Sequence, residues 1–209
     1  MVLTAMSLPQ KIRHNLPYFG FCGLLIGFSS FFTIQVEAFR SHTTKARTAE
    51  EVESGAEVTV LDALDGDELL VRAGDGDGDG DEFVVRVLGI KAFDPEVNDP
   101  QIGDIGRSAV RYLGRELSGA QVTLELEATE RDRRGRILAY VAKDGVDVGA
   151  TLIERGLALA FIRYPTGRED EYLKLQQQAQ AAAEGIWGVP GATARAHSLI
   201  EMWRAERER

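Results

Sequence analysis

Five short runs of this chain are rich in β-forming residues, and glycine or aspartate turn signals separate them: 57–64 (EVTVLDAL), 68–73 (ELLVRA), 82–90 (EFVVRVLGI), 121–128 (QVTLELEA) and 137–143 (ILAYVAK). Apolar residues recurring every second position predict strands with one buried face. Between the third and fourth runs the period changes. Ile105, Ala109, Val110, Leu113 and Leu117 fall on one stripe of a helix over 104–117, which Gly119 ends. A short helix over 148–155 stops at Gly156, and a longer one over 169–184 stops at Gly185. Short strands with one inserted helix and further helices at the end predict an α+β, mainly β fold. The expected architecture is a five-stranded Greek-key barrel of OB type with three helices.

A length of 209 residues with 44% hydrophobic content suits one such domain plus a tail or anchor. The formal charge of -9 argues against a sequence-independent nucleic-acid coat protein, which needs a basic face. It leaves a nuclease open, because a bound cation and a few local arginines reverse the field within a cleft. Cys22 is the sole cysteine, so no intramolecular disulfide forms. It reads as a small buried hydrophobe, with lipidation as the alternative.

Residues 16–36 contain no charged side chain and follow Lys11, Arg13 and His14. About 20 such residues cross a bilayer as a helix. An uncleaved transmembrane anchor is therefore expected. A signal cleaved after Ala38, with Val36 at the matching spacing, is the alternative. Basic residues flank both ends, and the signal-like layout points to export of the carboxyl-terminal part to the cell envelope or periplasm, or to secretion if the segment is cleaved. The resulting division is a basic segment 1–15, an anchor 16–36, a tether 37–55, an OB-type domain 56–190 and a charged amphipathic tail 191–209, where Leu199, Ile200, Met202 and Trp203 suit an amphipathic helix packed on the domain or on a partner. The soluble domain is expected to be monomeric.

The repeat GDGDGDGD at 74–81 invites a calcium-loop reading. Started at Asp75, an EF-hand loop places Asp77, Asp79 and Gly80 correctly but reaches Arg86 at its twelfth position, where a bidentate glutamate is needed. A start at Asp77 puts Glu82 where the turn glycine belongs. The repeat reads as an acidic hairpin tip.

Chemistry concentrates elsewhere. Asp65-Gly66-Asp67 supplies carboxylates suited to a hard cation, Arg86 interrupts an apolar strand, Glu96 follows Pro95, and Arg136 closes the run Asp132-Arg133-Arg134-Gly135-Arg136. Each has a plainer reading. The aspartates shape a turn, Arg136 is one more charge in a basic run, and Glu96 alone says nothing. Arg86 is harder to dismiss, since a charged residue in an apolar strand needs an anionic partner. Together they are the groups needed to attack a phosphodiester: a cation site, a candidate base and two guanidiniums.

The order of these pieces carries a resemblance. LDGD at 64–67, VVRVLGI at 84–90, Pro95-Glu96, DRRGRILAYV at 132–141, LIERGLA at 152–158 and GIW at 185–187 make the stretch from Val58 to Trp187 similar to the staphylococcal nuclease (thermonuclease) family. The resemblance implies an OB-type barrel with three helices. It also implies Ca²⁺-dependent cleavage of DNA and RNA with little sequence preference. Carried over by position, Asp67 is a calcium ligand, Arg86 and Arg136 hold the phosphate, and Glu96 orients or deprotonates the attacking water.

The chain departs from that family in three places. Counting forward from Arg86, the second calcium-binding aspartate becomes Lys91; counting back from Pro95-Glu96, it becomes Phe93, with Asp94 the nearest carboxylate. Three outcomes stand open: the loop re-routes so that Asp94 ligates, the Lys91 ammonium takes over part of the cation's role, or the site is inactive. Arg134 stands where the family has a tyrosine and adds positive charge for substrate binding. In 160–165 (AFIRYP), Phe161 and Tyr164 are candidates to stack on a nucleotide.

A membrane-tethered nuclease using a divalent cation, with Asp67 and Asp94 as ligands, is the first expectation. An inactive OB-type module that binds nucleic acid or a protein partner is the alternative, and a structural scaffold of the envelope is a third reading.

Overall fold

The Asp65-Gly66 turn reverses the chain, so that β1 (Ala56–Asp65) pairs antiparallel with β2 (Glu68–Ala73), with Asp65 opposite Glu68. This computed structural model describes residues 52–73 and 80–209. The expected anchor 16–36 and most of the acidic repeat lie outside those residues. Among the described residues no helix is long and apolar enough to cross a membrane.

β3 (Glu82–Val87) returns antiparallel to β2, with Arg72 opposite Glu82, so the acidic repeat joins the two strands of a hairpin. β5 (Gln121–Arg131) pairs with β1 and with β6 (Ile137–Lys143). β6 then pairs in parallel with β3 through Val85 and Ile137, Arg86 and Leu138, and Val87 and Ala139. That last pairing closes a five-stranded barrel from β1, β2, β3, β5 and β6. Closure removes the exposed edges that an open sheet would leave. The alternation read from the sequence fills the interior: Val58, Val60, Leu69, Val71, Phe83, Val85, Leu124, Ile137 and Ala139 are buried. Each large apolar side chain so placed contributes about 1.5–3 kcal/mol.

Helix α1 (Pro100–Leu117) covers the barrel with Ile105, Ala109, Leu113 and Leu117. It begins at Pro100, one turn before the expected start. Asp99 caps it by accepting from the N–H groups of Gln101 and Ile102, and proline suits the first helical position. The two-residue β7 (Val146–Asp147) leads into α2 (Val148–Glu154), and α3 (Glu169–Ala181) and a 3₁₀ turn (Gly185–Gly188) follow.

Three expectations need correction. The third strand does not run through to Ile90. Gly89 adopts φ +76°, a conformation glycine tolerates, and breaks the strand. The chain re-forms as β4 (Ile90–Ala92), which pairs antiparallel with an unexpected β8 (Ala158–Ala160). Finally, four helices rather than three occur among the described residues. The fourth, α4 (Pro190–Arg207), buries Ala192, Ala196, Ile200 and Trp203. It forms the amphipathic helix expected of the tail, with Ile200 and Trp203 buried and Met202 exposed.

Candidate active site

The site forms where the β1–β2 turn meets β4. A Cβ added at Gly66 would lie 2.5 Å from Ala92 Cβ and 2.8 Å from Ala109 Cβ, so only glycine lets this turn press against β4 and α1. The close approach buries Asp67 completely, at 0% exposure. A buried carboxylate needs partners. Its Oδ2 accepts from the backbone N–H of Ala92 at 3.4 Å and ion-pairs with Arg86 Nη2 at 3.3 Å. Lys91 Nζ donates to Oδ1 at 3.2 Å and to Oδ2 at 3.0 Å.

The barrel brings the two arginines together. Parallel pairing sets Val85 opposite Ile137, which brings Arg86 of β3 and Arg136, the residue just before β6, to the same end of the ladder. Glu68 lies across from Arg86 in the β2–β3 register and links them. It pairs with Arg136 Nη1 and stands 3.8 Å from Arg86 Nη1. Nothing in composition marked Glu68. The signal that finds it is the register of the β2–β3 hairpin, which sets this glutamate opposite Arg86.

Arg136 is held from the other side by Asp132. Its Nε donates to Asp132 Oδ2 at 2.7 Å, and Nη2 pairs with the same oxygen. Asp132 Oδ1 accepts from the backbone N–H groups of Arg134 and Arg136, which shapes the β5–β6 hairpin. Burial pushes the Asp132 carboxyl up, but hydrogen bonds from the Arg136 side chain and these two N–H groups outweigh it and hold the carboxyl below its ordinary value. Asp65 goes the other way. Burial raises it, and the charges of Asp67 and Asp94 add to that against the Gly66 N–H and Lys91.

The remaining sequence candidates are more dispersed. Glu96 is exposed on the loop between β4 and α1, and its carboxylate makes no hydrogen bond or ion pair with another described residue. Asp94, also exposed, accepts from the Glu96 N–H through Oδ1 at 2.8 Å and so holds the loop's turn. Arg134 is exposed at the β5–β6 hairpin tip. Tyr164, 59% exposed, meets the edge of Phe161 with ring centroids 6.0 Å apart. Phe161 in turn faces the Arg86 guanidinium at 5.8 Å, so an aromatic surface borders the cationic one.

The fit of a calcium ion is decided by charge. Asp65, Asp67 and Glu68 offer carboxylate oxygens within 4.8 Å of one another, an acidic cluster of the size a cation needs. Asp94 is not part of it. Phe93 is buried as the anchor of the loop, and the Asp94 carboxylate is turned to the Glu96 N–H. The centre of the cluster is held by Lys91 Nζ, which also stands 4.0 Å from Asp65 Oδ2. Calcium takes six to eight oxygen ligands, and here an ammonium lies against the principal one. In this arrangement the residues do not fit a resident Ca²⁺.

Residues 84–189 match the family described as Staphylococcal nuclease homologue. The chain belongs to the staphylococcal nuclease family. Within it, the thermonuclease of Staphylococcus hyicus is 32% identical over 131 residues, 61% of this chain and 73% of that protein. The SPbeta prophage-derived endonuclease YokF of Bacillus subtilis (strain 168) is 32% identical over 140 residues, 65% of this chain and 45% of that longer protein. The thermonuclease of Staphylococcus intermedius is 31% identical over 139 residues, 64% of this chain and 77% of that protein. The staphylococcal nuclease match spans β3 to the end of the 3₁₀ turn, and thus both arginines, Lys91 and Glu96.

Proposed function

We propose that this chain is a nuclease that hydrolyses phosphodiester bonds of DNA or RNA. The observation that carries the reading is the convergence of Arg86 and Arg136 on Glu68, with Glu96 exposed and uncommitted on the loop between β4 and α1. The names of the relatives, thermonuclease and endonuclease, support it.

The chemistry follows from those groups. The guanidinium forks bind the non-bridging phosphate oxygens and offset the charge that gathers there as water attacks. The water oxygen bonds to phosphorus, the bond from phosphorus to the departing sugar oxygen breaks, and the water's proton passes to the Glu96 carboxylate. The departing oxygen takes a proton from solvent. Tyr164 offers an exposed face on which an unpaired base can stack, which favours single-stranded substrate, while Phe161 packs against Arg86 and Trp203 beneath it. The calcium implied by the family resemblance has no step in this scheme.

The uncharged stretch 16–36 supports a membrane tether, with the nuclease domain outside the cytoplasmic membrane. Protease added to spheroplasts with an intact cytoplasmic membrane should then remove the domain, and full protection would refute that placement. For the activity, the full-length chain is incubated with single-stranded DNA and RNA, with Ca²⁺ and with chelator. Cleavage in either condition supports the nuclease reading; a folded preparation that cleaves neither substrate under any condition refutes it.

A further inference from the structure

We propose that the Lys91 ammonium is the resident cation of this site, seated where a divalent ion would otherwise lie, so that the site works without calcium. Activity without calcium rests on the nuclease reading; the seating of the ammonium does not. Lys91 lies in the middle of β4, where Ile90 and Ala92 turn inward to the core and the lysine side chain faces the other way. Pairing with β8, Lys91 opposite Leu159, holds that strand in register. The ammonium is thus delivered by a strand, not by a loop.

Its contacts are those of a bound ion. Nζ reaches both oxygens of the fully buried Asp67, at 3.0 and 3.2 Å, and approaches Asp65 Oδ2 at 4.0 Å. An ammonium has three N–H donors. Two are committed to Asp67, and 4.0 Å is too long for a hydrogen bond to Asp65. The third is left for a phosphate oxygen. Around it, the carboxylates Asp67, Glu68 and Asp132 are already paired with Arg86, Lys91 and Arg136, and Asp65 faces the same ammonium at 4.0 Å. A dication entering this cluster would have to expel Lys91 and leave its charge beside the ion.

Direct calcium binding tests this on the full-length chain, by calorimetric titration and by thermal unfolding in Ca²⁺ and in chelator. Titration to about 10 mM exceeds the roughly 0.1–1 mM at which weak protein calcium sites saturate. The wild type should show no saturable heat and an unchanged Tm. Lys91→Asp should bind Ca²⁺ and show a Tm that rises with its concentration, because a ligand that binds only the folded state stabilises it. Should Lys91→Asp fail to fold, Lys91→Gln provides the second comparison, since it empties the seat without adding charge. Its Tm should rise in Ca²⁺ where that of the wild type does not. Wild-type cleavage should be unchanged by chelator. Saturable calcium binding by the wild type overturns the inference, as does the absence of any calcium response in both variants. If the wild type cleaves nothing, the nuclease reading fails while the binding arm still decides who occupies the seat.

Discussion

Gly106 is where helix α1 presses hardest on the loop that carries Glu96. A Cβ built there would lie 2.5 Å from Phe93 O, 2.8 Å from Pro95 N and 2.9 Å from Asp94 C. All three are backbone atoms, so no side chain can rotate away. A relaxed contact for carbon lies near about 3.5 Å. Gly106→Ala must therefore push the loop out by roughly 1 Å or displace the helix. Two opposing effects set the outcome. Alanine in a helix interior gains about 1 kcal/mol over glycine, while overpacking a tight contact costs about 1–3 kcal/mol. Because the clash involves backbone on both sides, the larger cost should win, for a net loss of about 1–2 kcal/mol. Displacing a positioned group by about 1 Å costs on the order of 10²-fold in rate, so kcat on a single-stranded oligonucleotide should fall by that factor with a smaller change in KM.

Two other glycines of the same helix serve as internal standards. At Gly103 the nearest atoms to an added Cβ are Arg107 Nη1 at 3.0 Å, Val97 O at 3.2 Å and Pro95 O at 3.3 Å, close enough to offset the propensity gain but not to exceed it. At Gly114 nothing lies within 4 Å, so Gly114→Ala should gain about 0.5–1 kcal/mol with unchanged kcat. Urea denaturation gives the three stabilities from shifts in midpoint at constant slope. The reasoning is refuted if Gly106→Ala matches Gly114→Ala in stability. It is equally refuted if Gly106→Ala is destabilised yet keeps its full kcat, since the loop would then not be what positions Glu96.

Arg136→Lys keeps the charge but loses the fork that spans Asp132 and Glu68; cleavage should fall about 10²–10³-fold with Tm little changed, and an unaffected rate would remove Arg136 from the phosphate site. Trp203→Ala should cost about 3–5 kcal/mol in urea denaturation, because Trp203 is buried with its ring 4.9 Å from that of Phe161; a loss below about 1 kcal/mol would make α4 an appendage. Asp132 carries a pH signature. Its folded carboxyl lies below the unfolded value of about 3.9, so its contribution to stability is complete above that pH and is lost as pH falls through the lower folded value. The stability difference between the wild type and Asp132→Asn should therefore be constant near neutrality and shrink only in acid; a difference that does not change between pH 7 and pH 2 contradicts this.

How much of this was legible in the sequence depended on whether the determining contact was local. The barrel strands were readable because alternation is a property of each run by itself, and the core stripe of α1 likewise follows from its own spacing. β4 and β8 were not. Each has three residues and pairs as a strand only with the other, across a separation that no periodicity spans. The amphipathic tail helix α4 was readable, but not the element that would cover its apolar face. Ala192, Ala196, Ile200 and Trp203 recur at helical spacing, but their apolar surface is modest until Phe161 supplies a partner.

The site divides in the same way. Arg86 stood out because a charge within an apolar strand demands an explanation, whereas Glu68, which pairs with both arginines, is an ordinary glutamate until the hairpin register is drawn. Lys91 is the sharpest instance. Counting residues left two candidates for the aspartate's place, Lys91 and Phe93, because two residues had been inserted and counting cannot say where. Strand pairing can. Ile90, Lys91 and Ala92 keep a strict in-out-in pattern against β8, so the register from Arg86 is preserved through Lys91 and the insertion falls after Ala92. Phe93 is buried and the displaced Asp94 is spent on its own turn. A charge reversal placed by a strand is not relieved by moving a loop: the ammonium must be accommodated, and the fully buried Asp67 accommodates it.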